Sequence, residues 1–364
     1  MTHHPGRDVS LQAPRLPHRA RTLVVAAYVL LAGAVALDVT TDPQWTLSPV
    51  LATAPVLAGI GTRRARVPLA VGVTALVLVP VLALADPGVP LSDHLTIGVT
   101  ILAITSMSTA NVVLVATRER ELVQSRSVAE AAQRTLLRPV PERIGGMRTA
   151  VRYLAAAAEA RVGGDLYEAL VTPYGTRFLL GDVRGKGLGA IETAADVLGT
   201  FREAAQVEAD LAAVAGRLDA AMARRRGAGE EFVTAVLVGV AESGGAAEVV
   251  NCGHLPPLLR REGRVTEIES PVPEPPLALL ELAGGVYHRR GFAFEPGDLL
   301  LLYTDGVTEA RDGSGRFYPL AERLARMPEA APDDLLDRVV ADLLAYVGGA
   351  LSDDAALLAV RREG

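Results

Sequence analysis

Residues 23–37, 47–60, 67–85 and 95–117 are almost free of charge, and a chain that opens with four such stretches has few ways to bury them. A helix crosses a bilayer with roughly 20 apolar residues, within a range of about 17–25. The last two stretches meet that length outright, and the first two meet it only with their polar flanks. A cleaved signal peptide would account for the first stretch, which follows Arg15, Arg19 and Arg21. Against that, no clear small-residue cleavage site precedes Asp38, and three more apolar segments follow. Helices buried in a soluble core are the other alternative. Charge placement favours the membrane. Arginines precede the first stretch, lie between the second and third (Arg63, Arg64, Arg66) and follow the fourth (Arg118, Arg120). The other two connections carry Asp38, Asp42, Asp86 and Asp93. This alternation predicts four transmembrane helices over 21–117 in a multi-pass cell-membrane protein, with both ends in the cytoplasm. No charged residue falls within the apolar centres, so no ion pathway is evident.

On either side of that region the composition changes. Residues 1–20, rich in Pro, His and Arg, read as a disordered cytoplasmic tail. Residues 118–143 have helical composition with mixed charges and end among prolines, which suggests a helical linker, either solvated or pairing two copies as a homodimer. The net charge is only −6 and the arginines are scattered, with no basic groove interleaved with aromatics, so a nucleic-acid partner is excluded. One cysteine, Cys252, rules out an intrachain disulfide and a cysteine-rich metal site; it is either a nucleophile or a small buried residue at a strand end.

From 144 to 364 the pattern is one of short strands and paired helices. "DLYEALVT", the turn "PYGT" and "RFLLGDV" predict a hairpin, 188–225 predicts two successive helices, and "EFVTAVLVGVA", "AAEVVNC" and "PPLLRR" predict strands. A Pro-rich loop, strands in "GVYHRRG" and "DLLLLYTDG", a helix near 332–347 and a last strand in "DAALLAVRR" follow. Strands in sequential hairpins with helices inserted in pairs indicate an α+β sandwich.

"FLLGDVRGKGLGA" (178–190) first suggests a nucleotide loop, but its spacing fails: Gly181 and Gly185 are one residue too close, and Gly187 stands where a hydroxyl is needed. A metal fits better. Asp165 follows two glycines at a strand start, Asp182 closes the next strand, Asp305 follows an apolar strand, and Asp353 and Asp354 open the last one. Any one of these reads as a turn aspartate. Four strand-end positions that carry them suggest convergence, which a cation would make tolerable. All-oxygen donors point to magnesium or manganese, and two such ions can activate water for displacement at phosphorus.

The ordered set "VGGDLYE", "LLGDVRGKGLGA", "FVTAVLVGV", "VNCGHLPPLL", "LLLYTDGVTEARD" and "SDDAALLAV" resembles bacterial metal-dependent serine phosphatases of the sporulation stage II protein E and RsbU type, a branch of the PP2C-like superfamily. The resemblance covers roughly residues 145–362 and implies a PP2C-like β-sandwich flanked by helices, with a dinuclear Mn²⁺ or Mg²⁺ centre. It implies that Asp165 and Asp182 are catalytic and hold metal, with the Val183 carbonyl as a further ligand and Asp305 and Asp353 completing the second site. Asp354 is the alternative to Asp353. Glu168 and Arg184 depart from the family pattern: Glu168 keeps a carboxylate, and Arg184 either binds phosphate or points to solvent. Lys186, the single lysine, steers phosphate or caps the next helix; His254 is a general acid or a turn histidine. The resemblance further implies phosphoserine/phosphothreonine hydrolysis on a phosphorylated STAS-domain anti-sigma factor antagonist. A catalytically silent docking module on a membrane anchor is the alternative, against which the retained carboxylates weigh.

Overall fold

The computed structural model describes residues 18–40, 48–85, 90–155, 163–225, 231–242, 245–270 and 272–364. The expected tail over 1–17 lies outside the described residues. The chain divides into two compact units, Met1–Gln124 and Ser125–Gly364.

The first unit is all helical: α1 (His18–Thr40), a 3₁₀ turn (Ser48–Thr53) leading into α2 (Ala54–Gly59), α3 (Arg66–Ala85) and α4 (Leu91–Leu136), which carries the chain into the second unit. Three of these helices are long and apolar enough to cross a membrane. The stretch 47–60, expected as a span of its own, instead forms two short pieces, with Pro49 and Pro55 each removing a helix donor. Val25, Val29, Val73, Val77, Val99 and Leu102 are exposed, which suits lipid and not water. Small residues let the helices touch: a Cβ on Gly72 would lie 2.2 Å from Thr105, and one on Gly59 would lie 2.7 Å from Ser108 Oγ.

Arg63, just before α3, is ion-paired with Glu119 on α4. Val24 and Tyr28 near the start of α1 line one cleft with Arg64 and Arg66. The start of α3 and the Glu119 level of α4 thus lie at one end of the unit, with Val24 and Tyr28 of α1 beside the start of α3. Reporter fusions after Asp42 and Pro87, both outside the described residues, are expected to report an external location and one after Arg64 an internal one; an external reading for any fusion beyond residue 117 would overturn this topology.

The second unit stacks two antiparallel sheets between two helical layers. One sheet has the order β1 (Arg143–Ile144), β2 (Met147–Leu154), β11 (Ala355–Arg362), β10 (Leu299–Tyr303), β7 (Leu258–Arg261), β8 (Arg264–Glu267). The other has the order β3 (Asp165–Thr172), β4 (Gly175–Val183), β5 (Val233–Val240), β6 (Gly245–Cys252), β9 (Arg290–Phe294). Phe178, Leu180, Val236 and Val238 meet Leu300, Leu302, Leu358 and Val360 between the sheets. On the outer faces, α5 (Leu188–Val207) and α6 (Leu211–Arg225) cover the second sheet, and α9 (Leu320–Arg326) and α10 (Pro332–Val347) cover the first. The short helices α7 (Leu280–Ala283) and α8 (Asp305–Thr308) lie in connections. This is the expected α+β sandwich. The strand expected in "GVYHRRG" begins later, at Arg290, because Tyr287 is buried and its hydroxyl donates to the Pro275 carbonyl at 3.2 Å.

Two arginines, Arg177 buried and Arg202 half-buried, fix the helices to the sheet. Arg177 on β4 donates to the Ala205, Glu208 and Ala209 carbonyls at 2.9, 2.6 and 2.7 Å, closing the C-terminal end of α5 where the helix dipole is negative. Arg202 on α5 donates to Glu168 Oε2 at 2.6 Å and to the Leu136 carbonyl at 3.2 Å, joining the end of α4 to both α5 and β3.

Candidate metal centre

Side chains alternate along a strand, so residues an even number apart share a face. On β3, Asp165 lies on the face of Tyr167 and Ala169, toward the other sheet, whereas Glu168 lies with Leu166 and Leu170, toward α5. Asp182 shares its face of β4 with Phe178 and Leu180. The turn at 173–174 sets the register so that Asp165 and Asp182 are direct cross-strand partners. The hairpin therefore brings these two together, and parity sends Glu168 to the opposite face, into its ion pair with Arg202.

Asp165 is 3% exposed, and the Thr304 hydroxyl donates to its Oδ2 at 2.9 Å. Thr304 Oγ1 in turn accepts from the Ala356 amide at 2.8 Å, so the contact ties β3 to the ends of β10 and β11 in the facing sheet. Asp305 follows as the first residue of α8, and Asp353 and Asp354 immediately precede β11. The "VGG" before Asp165 is steric: a Cβ on Gly163 would lie 1.8 Å from Asp354 Oδ2, and one on Gly164 would lie 2.4 Å from the Val183 carbonyl and 2.8 Å from Asp182 Oδ1. Those glycines leave the carboxylates room to converge.

The electrostatics record the crowding. Burial, and after it the neighbouring Asp182, push Asp165 well above the usual carboxylate range. Burial, then Asp305 and Asp353, push Asp182 up to about 7, with Lys186 opposing. Asp305 is raised by burial, Glu309 and Asp353. Lys186 is ion-paired with Asp353 and makes no cap: α5 begins at Leu188, after Gly187 at the N-cap position, without a side-chain cap. Among the described residues no group of three or more His, Cys, Asp or Glu is gathered tightly enough to hold an ion as it stands. The donor set nonetheless fits a hard divalent cation, since buried carboxylates that raise one another's pKa are relieved by positive charge between them.

The remaining sequence candidates separate clearly. Arg184 is exposed, with its guanidinium 5.1 Å from the centre of the Phe232 ring. His254 is half-buried with both ring nitrogens engaged, Nδ1 with Thr234 Oγ1 at 2.9 Å and Nε2 with the Tyr303 carbonyl at 3.1 Å, and desolvation of the ring lowers its pKa to about 4. It is a neutral tie between β5, beside Asp182, and the end of β10, which favours the structural alternative over a general acid. Cys252 is fully buried and its thiol is pushed up by that burial, so it is no nucleophile.

Sequence reasoning missed Arg311. It lines a cleft of about 490 Å³ with Asp305, Glu309, Ser352 and Asp353, and its guanidinium lies 4.0 Å from the centre of the Phe317 ring. Only its position six residues after Asp305 could have hinted at this. Gln133 was also missed: near the end of α4 it donates to Tyr153 Oη at 2.8 Å and to the Gly163 carbonyl at 3.3 Å.

Comparison with known proteins identifies the family and the fold. The family model described as Stage II sporulation protein E (SpoIIE) matches residues 172–363. The protein IcfG of Synechocystis is 27% identical over 124 residues, which cover 33% of this chain and only 19% of that relative. The RsbU and RsbW domains of Rv1364c from Mycobacterium tuberculosis share 26% identity at a TM-score of 0.52, over 60% of this chain and 62% of that one. The SiaA-PP2C domain of Pseudomonas aeruginosa matches at a TM-score of 0.57 and 21% identity, over 68% of this chain and 99% of that domain.

The raised carboxylates set a sign for pH. A carboxyl whose pKa is higher folded than unfolded keeps its proton longer in the folded state, so its contribution is present at low pH and is lost as pH rises toward 7. Without divalent ions, the melting temperature of the second unit is expected to fall between pH 5 and pH 8, and to fall less steeply in Asp182→Asn. A wild-type slope that is flat or rising, or that the substitution leaves unchanged, would contradict this electrostatic account.

Proposed function

We propose, for a chain that belongs to the stage II sporulation protein E family and carries a PP2C-type phosphatase domain, that residues 144–364 form a metal-dependent phosphoserine/phosphothreonine protein phosphatase. In this reading the helices over 21–117 anchor it in the cell membrane with its catalytic domain in the cytoplasm. The substrate is a phosphorylated STAS-domain anti-sigma factor antagonist, and two copies pair through the 118–143 linker. The observation that carries the chemistry is the facing pair Asp165 and Asp182, with Asp305, Asp353 and Asp354 at adjoining strand ends.

Asp165, Asp182, the Val183 carbonyl, Asp305 and Asp353 would hold two Mn²⁺ or Mg²⁺ ions. When bound, these supply a water nucleophile at neutral pH and neutralise charge building on the phosphoryl oxygens. The chain's own residues do the rest. Thr304 fixes the rotamer of Asp165 through the bond to Oδ2. His254, neutral and doubly bonded, holds the backbone beside Asp182 against the backbone before Thr304. Arg311, at the wall of the cleft beside Asp305 and Asp353, offers a guanidinium to an incoming phosphoryl group. That cleft is open, as hydrolysis of a phosphorylated side chain on a folded protein needs.

With Mn²⁺, the full-length chain in detergent is expected to dephosphorylate a phosphorylated STAS-domain antagonist from its own cell. Asp182→Asn and Asp305→Asn should each lower turnover by at least about 100-fold, since each removes charge holding the ions. Lys186→Ala should cost less than about tenfold. Near-normal turnover in both aspartate variants would refute the metal centre. Turnover of a generic phosphate ester without action on any such antagonist would keep the chemistry and refute the substrate.

A further inference from the structure

The first unit contains a polar group with no partner in apolar surroundings. His94, in the first turns of α4, is 5% exposed, and its Nε2 makes no hydrogen bond with any described residue. It borders a cleft of about 710 Å³ between the last turns of α3 and the start of α4, within the size range of small-molecule sites. The walls include Leu76, Pro80, Val99 and Leu102, and among the described residues no Lys, Arg, Asp or Glu lines it. Gly98 keeps the α4 side low, since a Cβ there would lie 3.9 Å from Leu76 Cδ1 and would meet nothing nearer. An unpaired buried polar group is costly, and an ionisable side chain in a membrane-spanning region marks a functional site more often than a packing accident.

From these features we infer that the α3–α4 cleft binds a neutral single-chain amphiphile bearing one hydroxyl. Among the described residues the lining offers a phosphate, carboxylate or ammonium headgroup no charge to pair with. A hydroxyl both donates and accepts, so it satisfies His94 Nε2 in either tautomer. The polar contact sits near the helix start, and the cleft runs from there toward Leu102, further along α4. The rise of an α-helix makes that run about 12 Å from His94. A headgroup at the membrane surface with its chain pointing toward the bilayer centre follows the same direction.

The inference rests on the first unit lying in a membrane and is independent of the phosphatase reading. The test uses the full-length chain in phosphatidylcholine nanodiscs with two photoreactive probes, a diazirine-bearing hexadecanol and the matching hexadecane. At equal mole fraction, the alcohol is expected to label residues 76–84 and 91–102 about tenfold more than the alkane, the worth of one buried hydrogen bond. His94→Leu should bring alcohol labelling down to the alkane level, and Gly98→Phe should block both probes by filling the cleft. Equal labelling of the wild type by the two probes would mean ordinary lipid contact and would overturn the proposal without reference to any variant. Undiminished alcohol labelling in a folded His94→Leu protein would overturn it as well.

Discussion

Carboxylates crowded at one end of a β-sandwich repel one another, and much of the second unit is arranged around that repulsion. The cross-strand register of β3 and β4 sets Asp165 opposite Asp182. Ordinary sandwich packing brings the ends of β10 and β11 beside that pair, and with them Asp305, Asp353 and Asp354. Burial and mutual charge raise the pKa values of Asp165, Asp182 and Asp305, so the arrangement is uncomfortable for the protein alone. It persists because neighbouring contacts over-determine it: Thr304 holds Asp165, His254 ties the two sheets, and Gly163 and Gly164 let the backbone approach. Strain of this kind, kept in place by its surroundings, is what a preorganised cation site looks like before the cation is considered.

The helical layer on the β3 side is fastened by the same economy of contacts. Arg177 and Arg202 each reach from one element to carbonyls at the end of another, and Arg202 also neutralises the buried carboxylate of Glu168. Such a pair adds little net stability over an apolar alternative, and losing Arg202 would strand the buried Glu168 carboxylate. Its value is positional. It locks α5, which follows the Asp182 turn, to the strand that carries Asp165. Gln133 and the Leu136 carbonyl bring the end of α4 into this network at Gly163, directly before the carboxylates.

Much of this was legible in the residues. The hairpin, the paired helices over 188–225 and the last strand follow from period, turn residues and length, and the family motifs singled out the aspartates. What escaped was decided by parity and by long-range contact. Glu168 reads as a member of the acidic motif, yet its odd spacing from Asp165 turns it to the opposite face. Lys186 was expected to cap or to steer phosphate, but it meets Asp353, a partner 167 residues away. Arg311 and His94 lack a local signature, since what distinguishes each is the cleft around it. The stretch 47–60 was apolar enough to suggest a span, but two prolines and its short length made it a turn and a two-turn helix.

The central claim is that these carboxylates gather to hold two divalent ions. Calorimetric titration of Mn²⁺ into the chelator-stripped chain tests it most directly. The account predicts two ions bound per chain at pH 7.5, with protons released as the raised carboxyl groups ionise, and binding severely weakened in Asp182→Asn. A stripped wild-type chain that remains folded and takes up no Mn²⁺ would contradict it.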